Sequence, residues 1–402
     1  MKYDFTTILY RKGMDAEALD LEDEFFPRDE GCDREKYDFI PMWVADMNFP
    51  VFPGITEAIT KRISHPCFGY FGPRQEYFDA IINWQKIRNG VEGLEKEHIG
   101  YENGVLGGVI SALNTMCSKG SAVLVHSPTY IGFNECLENN GYKIVRSPLV
   151  KDGDGVWRMD VSDMEKKIVE NKIHAAIMCS PHNPTGRVWT REELETAMDL
   201  FKKYDVKVVS DEIWSDIILP GHKHIPTQSI SEDAKNRTVA LYAPSKTFSL
   251  AGLVGSYHVI YNKTLRDRHE KESSLSCYNA VNVLSMHALI GAYCKEGMEW
   301  TDELCQVIQN NVKYAYDFIS EKFKGIEVSM PQGTYMMFLD CTKWCENHGE
   351  TLDGLLKKGW NVGVGWQDGR PFCGKCHIRL NLASPFSRIK EAFDRLDKAL
   401  NG

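Results

Sequence analysis

The sequence contains no continuous basic segment and no long apolar segment, and these absences exclude several classes of protein. Lysine and arginine together number 47 against 56 aspartate and glutamate residues, which gives a formal charge of −9. Such a chain offers no basic track for a phosphodiester backbone, so we expect no nucleic-acid partner. Arg11 and Lys12 interrupt the apolar residues near the N-terminus before a signal-peptide core or a membrane span could form. We therefore expect a cytoplasmic protein with no membrane partner.

Disulfide-framework spacing is also missing, although cysteine itself is not scarce. The 12 cysteines are scattered, many of them inside apolar segments such as the one that ends at Cys179, and this predicts buried reduced thiols. The pairs Cys341 with Cys345 and Cys373 with Cys376 have spacings that resemble a four-thiolate zinc site. Both pairs lie at predicted strand edges and turns, so we favour thiols and expect no metal.

No low-complexity tract or internal repeat separates domains, so the order of predicted elements has to locate them. A length of 402 residues predicts two domains. Short apolar segments rich in β-branched residues predict strands at 121–126, 175–179, 206–210, 238–242 and 256–261. Helix-like segments separate several of them, and the one at 192–204 begins with Thr190 and Glu193 in capping-box spacing. This alternation predicts an α/β fold with a mostly parallel sheet covered on both faces.

The pattern changes after about residue 300. A long amphipathic helix at 303–323 and a closing helix that ends near Leu400 are predicted around strands at 333–340, 362–366 and 377–382. These elements indicate a smaller α+β unit. The first fifty or so residues carry many charges and few periodic elements, so we expect them to form an arm across this unit. We predict a large domain over 49–287 and a second unit built from 1–48 and 288–402.

Several predicted parallel strands end in polar side chains that could share one site. Asp211 and Lys246 each follow a predicted strand, and Asn183 follows a third strand along the chain. Because ligands bind at the carboxyl ends of parallel strands, we expect these side chains to lie in one crevice. The glycine-rich segment 101–108 precedes an apolar helix and offers an anion-binding helix N-terminus. Each feature alone is also typical of a turn, a cap or an ion pair, but their combination indicates a site.

Three longer motifs carry a family resemblance. They are Pro41-Met42-Trp43-Val44-Ala45-Asp46-Met47-Asn48-Phe49, then Ala243-Pro244-Ser245-Lys246-Thr247-Phe248 followed by Leu250-Ala251-Gly252-Leu253, and His377-Ile378-Arg379-Leu380-Asn381-Leu382-Ala383. Over nearly its whole length the chain resembles the fold-type I pyridoxal-phosphate enzymes of the aminotransferase class I/II group. Within that group it is most similar to the cystathionine β-lyase (carbon–sulfur lyase) branch of the MalY/PatB type. The resemblance implies a three-layer, aspartate aminotransferase-like PLP-transferase fold and pyridoxal 5′-phosphate as the cofactor.

The resemblance also implies roles for individual residues. Lys246 is implied to bind the cofactor covalently and then to remove the substrate's Cα proton. Asp211 is implied to pair with the pyridine nitrogen, so that the ring can accept electrons, and Asn183 to donate to the ring's phenolic oxygen. Arg379 is implied to hold the substrate's α-carboxylate with its planar fork. Trp43 is expected to line the substrate pocket.

The cofactor's remaining contacts follow from the same resemblance. Its phosphate is expected against the start of the glycine-rich helix and one hydroxyl, which involves Gly104, Val105, Leu106 and Ser245. Tyr130 is expected to stack on the ring. Tyr70 is implied to reach the phosphate of a neighbouring subunit, which predicts a homodimer with shared active sites.

Three positions depart from the aminotransferase pattern. Trp214 stands where many aminotransferases have a tyrosine that donates to the cofactor, and Val254 stands where an arginine commonly binds phosphate. Ser249 replaces an expected asparagine, so we expect altered contacts after Lys246. The first two changes favour a lyase that eliminates a thiol from a cystathionine- or cysteine-type L-amino acid, giving pyruvate and ammonia. A class I/II aminotransferase acting on an L-amino acid is the alternative.

Two readings from other classes are less favoured. A non-catalytic, cofactor-binding regulator would need a DNA-reading module, and the sequence has no spare segment for a helix-turn-helix domain. A nicotinamide dehydrogenase would need the fingerprint glycine spacing, which residues 104–108 lack. We therefore predict an enzyme that depends on pyridoxal phosphate.

Overall fold

The computed structural model describes residues 1–276 and 279–402. The strands in this part of the chain are β1 (Ile40–Met42), β2 (Ile99–Glu102), β3 (Ala122–Ser127), β4 (Lys143–Lys151), β5 (Trp157–Met159), β6 (Ala175–Cys179), β7 (Lys207–Asp211), β8 (Thr238–Tyr242), β9 (Ser256–Val259), β10 (Glu327–Val328), β11 (Met336–Asp340), β12 (Val364–Asp368) and β13 (His377–Asn381). They form an eight-stranded sheet and a five-stranded sheet.

Helices cover both sheets. The α-helices of the described residues are α1 (Glu17–Asp20), α2 (Glu22–Phe25), α3 (Pro53–Ile63), α4 (Gln75–Asn89), α5 (Gly104–Met116), α6 (Ile131–Asn139), α7 (Val161–Asn171), α8 (Arg191–Lys203), α9 (Glu232–Arg237), α10 (Lys263–Ser276), α11 (Val283–Ala292), α12 (Lys295–Lys322), α13 (Thr342–His348), α14 (Leu352–Asn361) and α15 (Phe386–Asn401). No helix in the part of the chain described here is long and apolar enough to cross a membrane.

The large sheet has the strand order β2-β9-β8-β7-β6-β3-β4-β5. The pairings from β8 through β7, β6 and β3 to β4 are parallel, whereas β9 and β5 pair antiparallel with their neighbours. Helices cover both faces of this sheet, as two neighbouring residues of β7 show. Val209 packs against α5 and α6 on one face, and Val208 packs against α7 and α8 on the other. This three-layer arrangement is the predicted one, and it explains why the central strands are continuous apolar segments.

The predicted elements of the large sheet agree with the structure to within a few residues. β6 and β8 have the predicted bounds, and α8 begins after Thr190, whose side chain and that of Glu193 form the capping box. This box satisfies backbone N–H groups that the first turn of a helix leaves unpaired. Because each of these signals lies within one element, sequence pattern was sufficient to locate it.

Boundaries in the smaller unit differ more from the predictions. α12 begins at Lys295, ahead of the predicted start, because the Cys294 side chain accepts the N–H of Gly297 and caps the helix there. β11 begins after Thr334, whose φ of 63° cannot continue a strand. β12 likewise begins after Gly363, which has a φ of 75°. Single residues with left-handed backbone therefore set these strand starts.

The N-terminal segment does more than lie across the smaller unit. β1 pairs in parallel with β12 and becomes an edge strand of the five-stranded sheet, which has the order β1-β12-β13-β11-β10. The sequence has no periodic pattern that predicts so short a strand. The large sheet lies within 99–259, while the small sheet draws on 40–42 and 327–381. The domain boundaries at 48/49 and 287/288 stay a prediction.

The cysteines considered as zinc ligands fall into separate contacts. Cys345 Sγ lies 3.8 Å from Cys376 Sγ, whereas Cys373 Sγ accepts from Asn134 Nδ2 at 3.9 Å. Cys341 is buried, and its backbone N–H donates to the carbonyl of Cys376. The two sequence pairs are thus divided between two neighbourhoods.

Candidate active site

One cavity of about 200 Å³ collects most of the predicted site residues. It lies where β6, β7 and β8 end and α5 begins, which is the edge at which parallel strands present their ligand-binding residues. Eight predicted residues line it: Gly104, Val105, Leu106, Tyr130, Asn183, Asp211, Ser245 and Lys246. Their assignment to a site came from the sequence, and their convergence on one cavity is what the structure adds.

Lys246 lies in the turn after β8 and directs its amine inward. Its Nζ donates to the carbonyl oxygen of Ala45 at 2.9 Å and lies 5.9 Å from the centroid of the Trp214 ring. Burial, with a smaller contribution from the positive charge of Arg379, lowers the pKa of Lys246 to about 8. A substantial fraction of this amine is therefore neutral near physiological pH, as a nucleophile or base requires.

Asp211 ends β7 and is buried, with an exposed fraction of 4%. Among the described residues its carboxylate receives one hydrogen bond, from the backbone N–H of Ile213 at 3.1 Å. Burial raises the pKa of Asp211 to about 7, and the charge of Lys246 opposes this only in part. A buried carboxylate with so few donors fits a cationic ring nitrogen, which would provide the charge that stabilises its ionised form.

The start of α5 fits an anion. Gly104 has a φ of 73°, a conformation that glycine adopts without strain, and it lets the backbone turn sharply into the helix. The N-cap residue Asn103 makes no capping side-chain bond to the helix, and the first turn carries no acidic residue. The first N–H groups of α5 can thus face a phosphate, and the cavity-lining Ser245 adds a hydroxyl.

Arg379 is held beside the cavity by the middle of β13. Its guanidinium donates to the carbonyl of Trp43 at 2.7 Å and to Asn183 Oδ1 at 3.2 Å, and it lies 4.3 Å from the centroid of the Phe372 ring. Burial lowers the pKa of Arg379 to about 10, and its buried Nε has no partner among the described residues. A buried, oriented and incompletely paired guanidinium is suited to a carboxylate ligand.

Besides Arg379, which lies beside the cavity, two predicted site residues do not line it with their side chains. The Trp43 indole packs in a cluster with Phe26 and Phe39 and donates to the carbonyl of Ala18, so only its backbone carbonyl contacts the site, through Arg379. Tyr70 lies in an exposed segment away from the cavity of its own chain. Their predicted roles in substrate binding and in a second subunit's site stay predictions.

Other residues at the site escaped the sequence analysis. Tyr335 is fully buried, and its hydroxyl donates to the same Ala45 carbonyl that accepts from Lys246. Asn381 donates to the carbonyls of Val44 and Asp46 and so holds the backbone on both sides of Ala45. Asn381 lies inside a quoted motif, which was a usable signal. Tyr335 lies in an apolar stretch of sequence that gives no signal of a role at the site.

The departures from the aminotransferase pattern have clear structural settings. Trp214 is buried in the cavity wall, edge-on to Tyr335, where it supplies an apolar surface in place of a phenol. Val254 also lines the cavity, with a φ of 49°. Ser249 has a φ of 55°, and its hydroxyl accepts the N–H of Met47, which ties the segment after Lys246 to the segment around Ala45.

Comparison with known proteins identifies the family. The sequence model of the aminotransferase class I and II family matches residues 38–396, and the chain belongs to this family. It is 34% identical over 367 residues to cystathionine beta-lyase PatB of Bacillus subtilis (strain 168), with 90% of this chain and 93% of that protein covered.

Solved structures agree with this result. Cystalysin from Treponema denticola, which contains a pyridoxal 5′-phosphate cofactor, superimposes with a TM-score of 0.91 at 31% identity, covering 100% of this chain and 99% of that chain. The pyridoxal-phosphate-bound C-S lyase from Staphylococcus hominis gives a TM-score of 0.88 at 30% identity, with 99% of each chain covered. The predicted family and fold are confirmed.

Proposed function

We propose that this protein is a pyridoxal-phosphate-dependent carbon–sulfur lyase. It performs β-elimination on L-amino acids that carry a sulfur leaving group at Cβ, such as cystathionine or cysteine. The observation that carries the proposal is that Asp211 and Lys246 line one cavity together with the first residues of α5. A carboxylate for a ring nitrogen, an amine with a lowered pKa and a phosphate cradle together fit this cofactor.

The residues around the cavity have different roles in the proposed reaction. Bound pyridoxal phosphate supplies an electron sink for the pair left at Cα when a proton is removed. Lys246 would hold the cofactor through its aldehyde group, and its Nζ would take the proton from Cα of the substrate. Asp211 keeps a proton on the pyridine nitrogen. Asn183 donates its side-chain NH₂ to the cofactor's phenolic oxygen. Its Oδ1 accepts a hydrogen bond from Arg379, so Asn183 connects the position of the cofactor with that of the substrate.

Arg379 accounts for substrate orientation. Its fork binds the α-carboxylate, which places the Cα–H bond toward Lys246. The Cβ–S bond then breaks, the sulfur leaves as a thiolate and takes up a proton, and the released 2-aminoacrylate reacts with water to give pyruvate and ammonia. The apolar Trp214 wall, in place of a phenol, is compatible with this outcome, and the similarity to PatB supports elimination over amino transfer.

An assay with separate readouts tests the proposal. The purified protein, supplied with pyridoxal phosphate, is incubated with L-cystathionine, and pyruvate and free thiol are measured. In a second reaction with L-cysteine, which is itself a thiol, pyruvate and released sulfide are measured. Parallel reactions with a panel of keto acids measure amino transfer. We expect pyruvate and thiol in equal amounts and little transfer, with neither product from a Lys246→Ala control. Transfer without thiol release would instead make the protein an aminotransferase.

We further propose that the protein is a homodimer in which Tyr70 serves the partner's site. Tyr70 is fully exposed, at 112% of the reference area, and the neighbouring Phe68 and Phe71 are 57% and 41% exposed. Three adjacent exposed aromatic side chains favour an interface over a solvated loop. The cytoplasmic location stays part of the same proposal.

Mixed dimers test the role of Tyr70. Chains carrying Tyr70→Phe are combined with chains carrying Lys246→Ala, and heterodimers are verified by native mass spectrometry. If Tyr70 acts across the interface, both lesions fall in one site and the other site is intact. Activity should then recover to about half of the wild-type value per heterodimer. If Tyr70→Phe homodimers are inactive, no recovery in verified heterodimers would show that Tyr70 acts within its own chain. Fully active Tyr70→Phe homodimers would show that Tyr70 serves neither site.

A further inference from the structure

A second buried polar cluster lies at the end of β2, directly before the phosphate-binding start of α5. Glu102 Oε1 lies 2.7 Å from His258 Nδ1 and 2.5 Å from His269 Nε2, and all three side chains are buried. Gly100 makes room for this arrangement, since a Cβ there would lie 2.2 Å from the His258 ring. The proposed reaction uses none of these groups.

The distances indicate hydrogen bonds. Glu102, His258 and His269 could hold a metal ion by residue type and proximity, since their ligand atoms lie within 4.8 Å of one another. Ligand atoms around a tetrahedral zinc ion, however, lie about 3.3 Å apart, given zinc–ligand distances of about 2.0 Å. Here one carboxylate oxygen is much closer to both nitrogens, as expected when it accepts two N–H groups.

The other carboxylate oxygen reaches the phosphate cradle. Glu102 Oε2 accepts from Asn279 Nδ2 at 2.6 Å, and Asn279 Oδ1 in turn accepts the backbone N–H of Asn103 at 3.0 Å. Oε2 also lies 3.3 Å from the hydroxyl of Ser111 on α5. Asn103 is the N-cap of α5. One buried carboxylate therefore fixes both the residue that opens the helix and the helix body.

We propose that Glu102 is a positioning residue for the cofactor's phosphate, acting through Asn279 and Asn103 on the first turn of α5. This inference rests on the proposed use of pyridoxal phosphate. Backbone N–H groups bind a phosphate well only when they are held in the correct orientation before it arrives. Hydrogen bonds from both histidines lower the pKa of Glu102 to about 2 despite its burial. The carboxylate is thus ionised, and its contacts with His258, His269, Asn279 and Ser111 form a stiff connection between β2, β9, α10 and α5.

Substituting Glu102→Gln tests the proposal because it keeps the shape but places an NH₂ group among donors. Apo-protein is titrated with pyridoxal 5′-phosphate and, separately, with pyridoxal, which lacks the phosphate. We expect the Kd for pyridoxal phosphate to rise about tenfold or more, while that for pyridoxal changes less than about twofold. A purely structural role would weaken both ligands alike. Equal Kd values for variant and wild type would overturn the inference.

Two further variants keep the test decisive. Asn279→Ala removes the bridge between Glu102 and Asn103, together with one hydrogen bond to the Ser273 hydroxyl, and keeps the contacts of Glu102 with both histidines. It should therefore reproduce the selective loss even if Glu102→Gln fails to fold. Gln85→Met is the matched control, since it removes a different buried hydrogen bond to β9, at the Tyr257 hydroxyl. We expect this control to lower the stability of the protein and to leave the preference for the phosphorylated ligand unchanged.

Two outcomes separate this inference from its alternatives. If wild-type protein binds no pyridoxal phosphate, the proposed function fails, whereas normal binding by both Glu102→Gln and Asn279→Ala defeats only the role of Glu102. Elemental analysis before and after dialysis against a chelator is run in parallel. One equivalent of metal, removed together with phosphate selectivity, would overturn the hydrogen-bonded network in favour of a metal centre.

Discussion

Asp211 and Glu212 are adjacent in the sequence and equally hidden from solvent, yet their surroundings are opposite. Asp211 faces the cavity and accepts one hydrogen bond among the described residues. Glu212 faces away from it and is surrounded by donors, namely His224 Nε2 at 2.8 Å, the Tyr242 hydroxyl at 2.8 Å, the Ser210 hydroxyl at 2.9 Å and the Thr227 N–H at 2.9 Å. This contrast distinguishes Asp211, a carboxylate left available for a ligand, from Glu212, a carboxylate whose hydrogen bonds stabilise the fold.

The physical reason is the alternation of extended backbone, in which successive side chains point to opposite sides. A buried carboxylate is stable only when donors or a cation compensate for lost water. Glu212 has its compensation within the protein, whereas Asp211 has not, and the pKa of Asp211 is accordingly raised to about 7. A buried carboxylate with too few hydrogen-bond donors for its charge is therefore the feature that distinguishes the site.

The largest expected effect is on the cavity side of this comparison, at Lys246. Lys246→Ala should lower turnover by at least about a thousandfold, because in the proposed mechanism one residue is both the covalent anchor and the base. The fold should persist, since within 1–276 and 279–402 the side chain makes one hydrogen bond, to the carbonyl of Ala45. Steady-state pyruvate release and circular dichroism measure the two effects. Lys203→Ala, at an exposed site, is the control and should match wild type in both.

We expect Asp211→Asn to lower turnover and to raise the stability of the apo-protein. The raised folded-state pKa means that the stability contributed by Asp211 is present below its ordinary pKa of 3.8 and is lost as pH rises through about 7. Removing this buried charge should therefore stabilise the apo-protein at pH 8 by about 2 to 4 kcal/mol, since one pKa unit is worth about 1.4 kcal/mol. At pH 4 the gain should largely vanish. Turnover should fall by about a hundredfold or more, because the ring nitrogen would lose the partner proposed for it.

Urea unfolding of apo-protein at both pH values and pyruvate release measure these changes. A stability difference that is the same at pH 4 and pH 8 would contradict the role assigned to burial.

Glu212→Gln should show the reverse pattern. The amide NH₂ would face donors, so we expect a loss of about 1 to 3 kcal/mol in the free energy of unfolding. The Kd for pyridoxal phosphate should stay within about twofold of wild type. Urea unfolding and cofactor titration measure the two effects. If affinity fell in proportion to stability, the separation between the two carboxylates would not hold.

The smallest expected effect is at the cavity rim. Val254 has a left-handed φ of 49°, which is costly for a β-branched residue, and its side chain is 53% exposed. Val254→Gly should stabilise the protein by about 0.5 kcal/mol, because relief of strain slightly exceeds the added entropy of the unfolded chain. Thermal unfolding measures this gain, with Val169→Gly in the exposed face of α7 as a control that should destabilise.

Much of the fold was predictable because its signals are local. The apolar segments of β6 and β8 and the capping box of α8 each lie within a few consecutive residues, and backbone propensity and burial act on that scale. The motifs around Lys246 and Arg379 were equally readable, since each is a continuous stretch. The strand ends also predicted the common crevice, because the carboxyl ends of parallel strands meet at one edge of a sheet.

Tertiary structure alone decided the contacts between distant segments. Ala45 receives hydrogen bonds from Lys246 and Tyr335, which lie far away along the chain, and Glu102 meets His258 and His269 in the same way. No periodicity encodes such meetings, because they follow from sheet register and from which side of a strand a residue faces. The residue types at the site were set by the sequence, while their partners, and hence their pKa values, were set by packing.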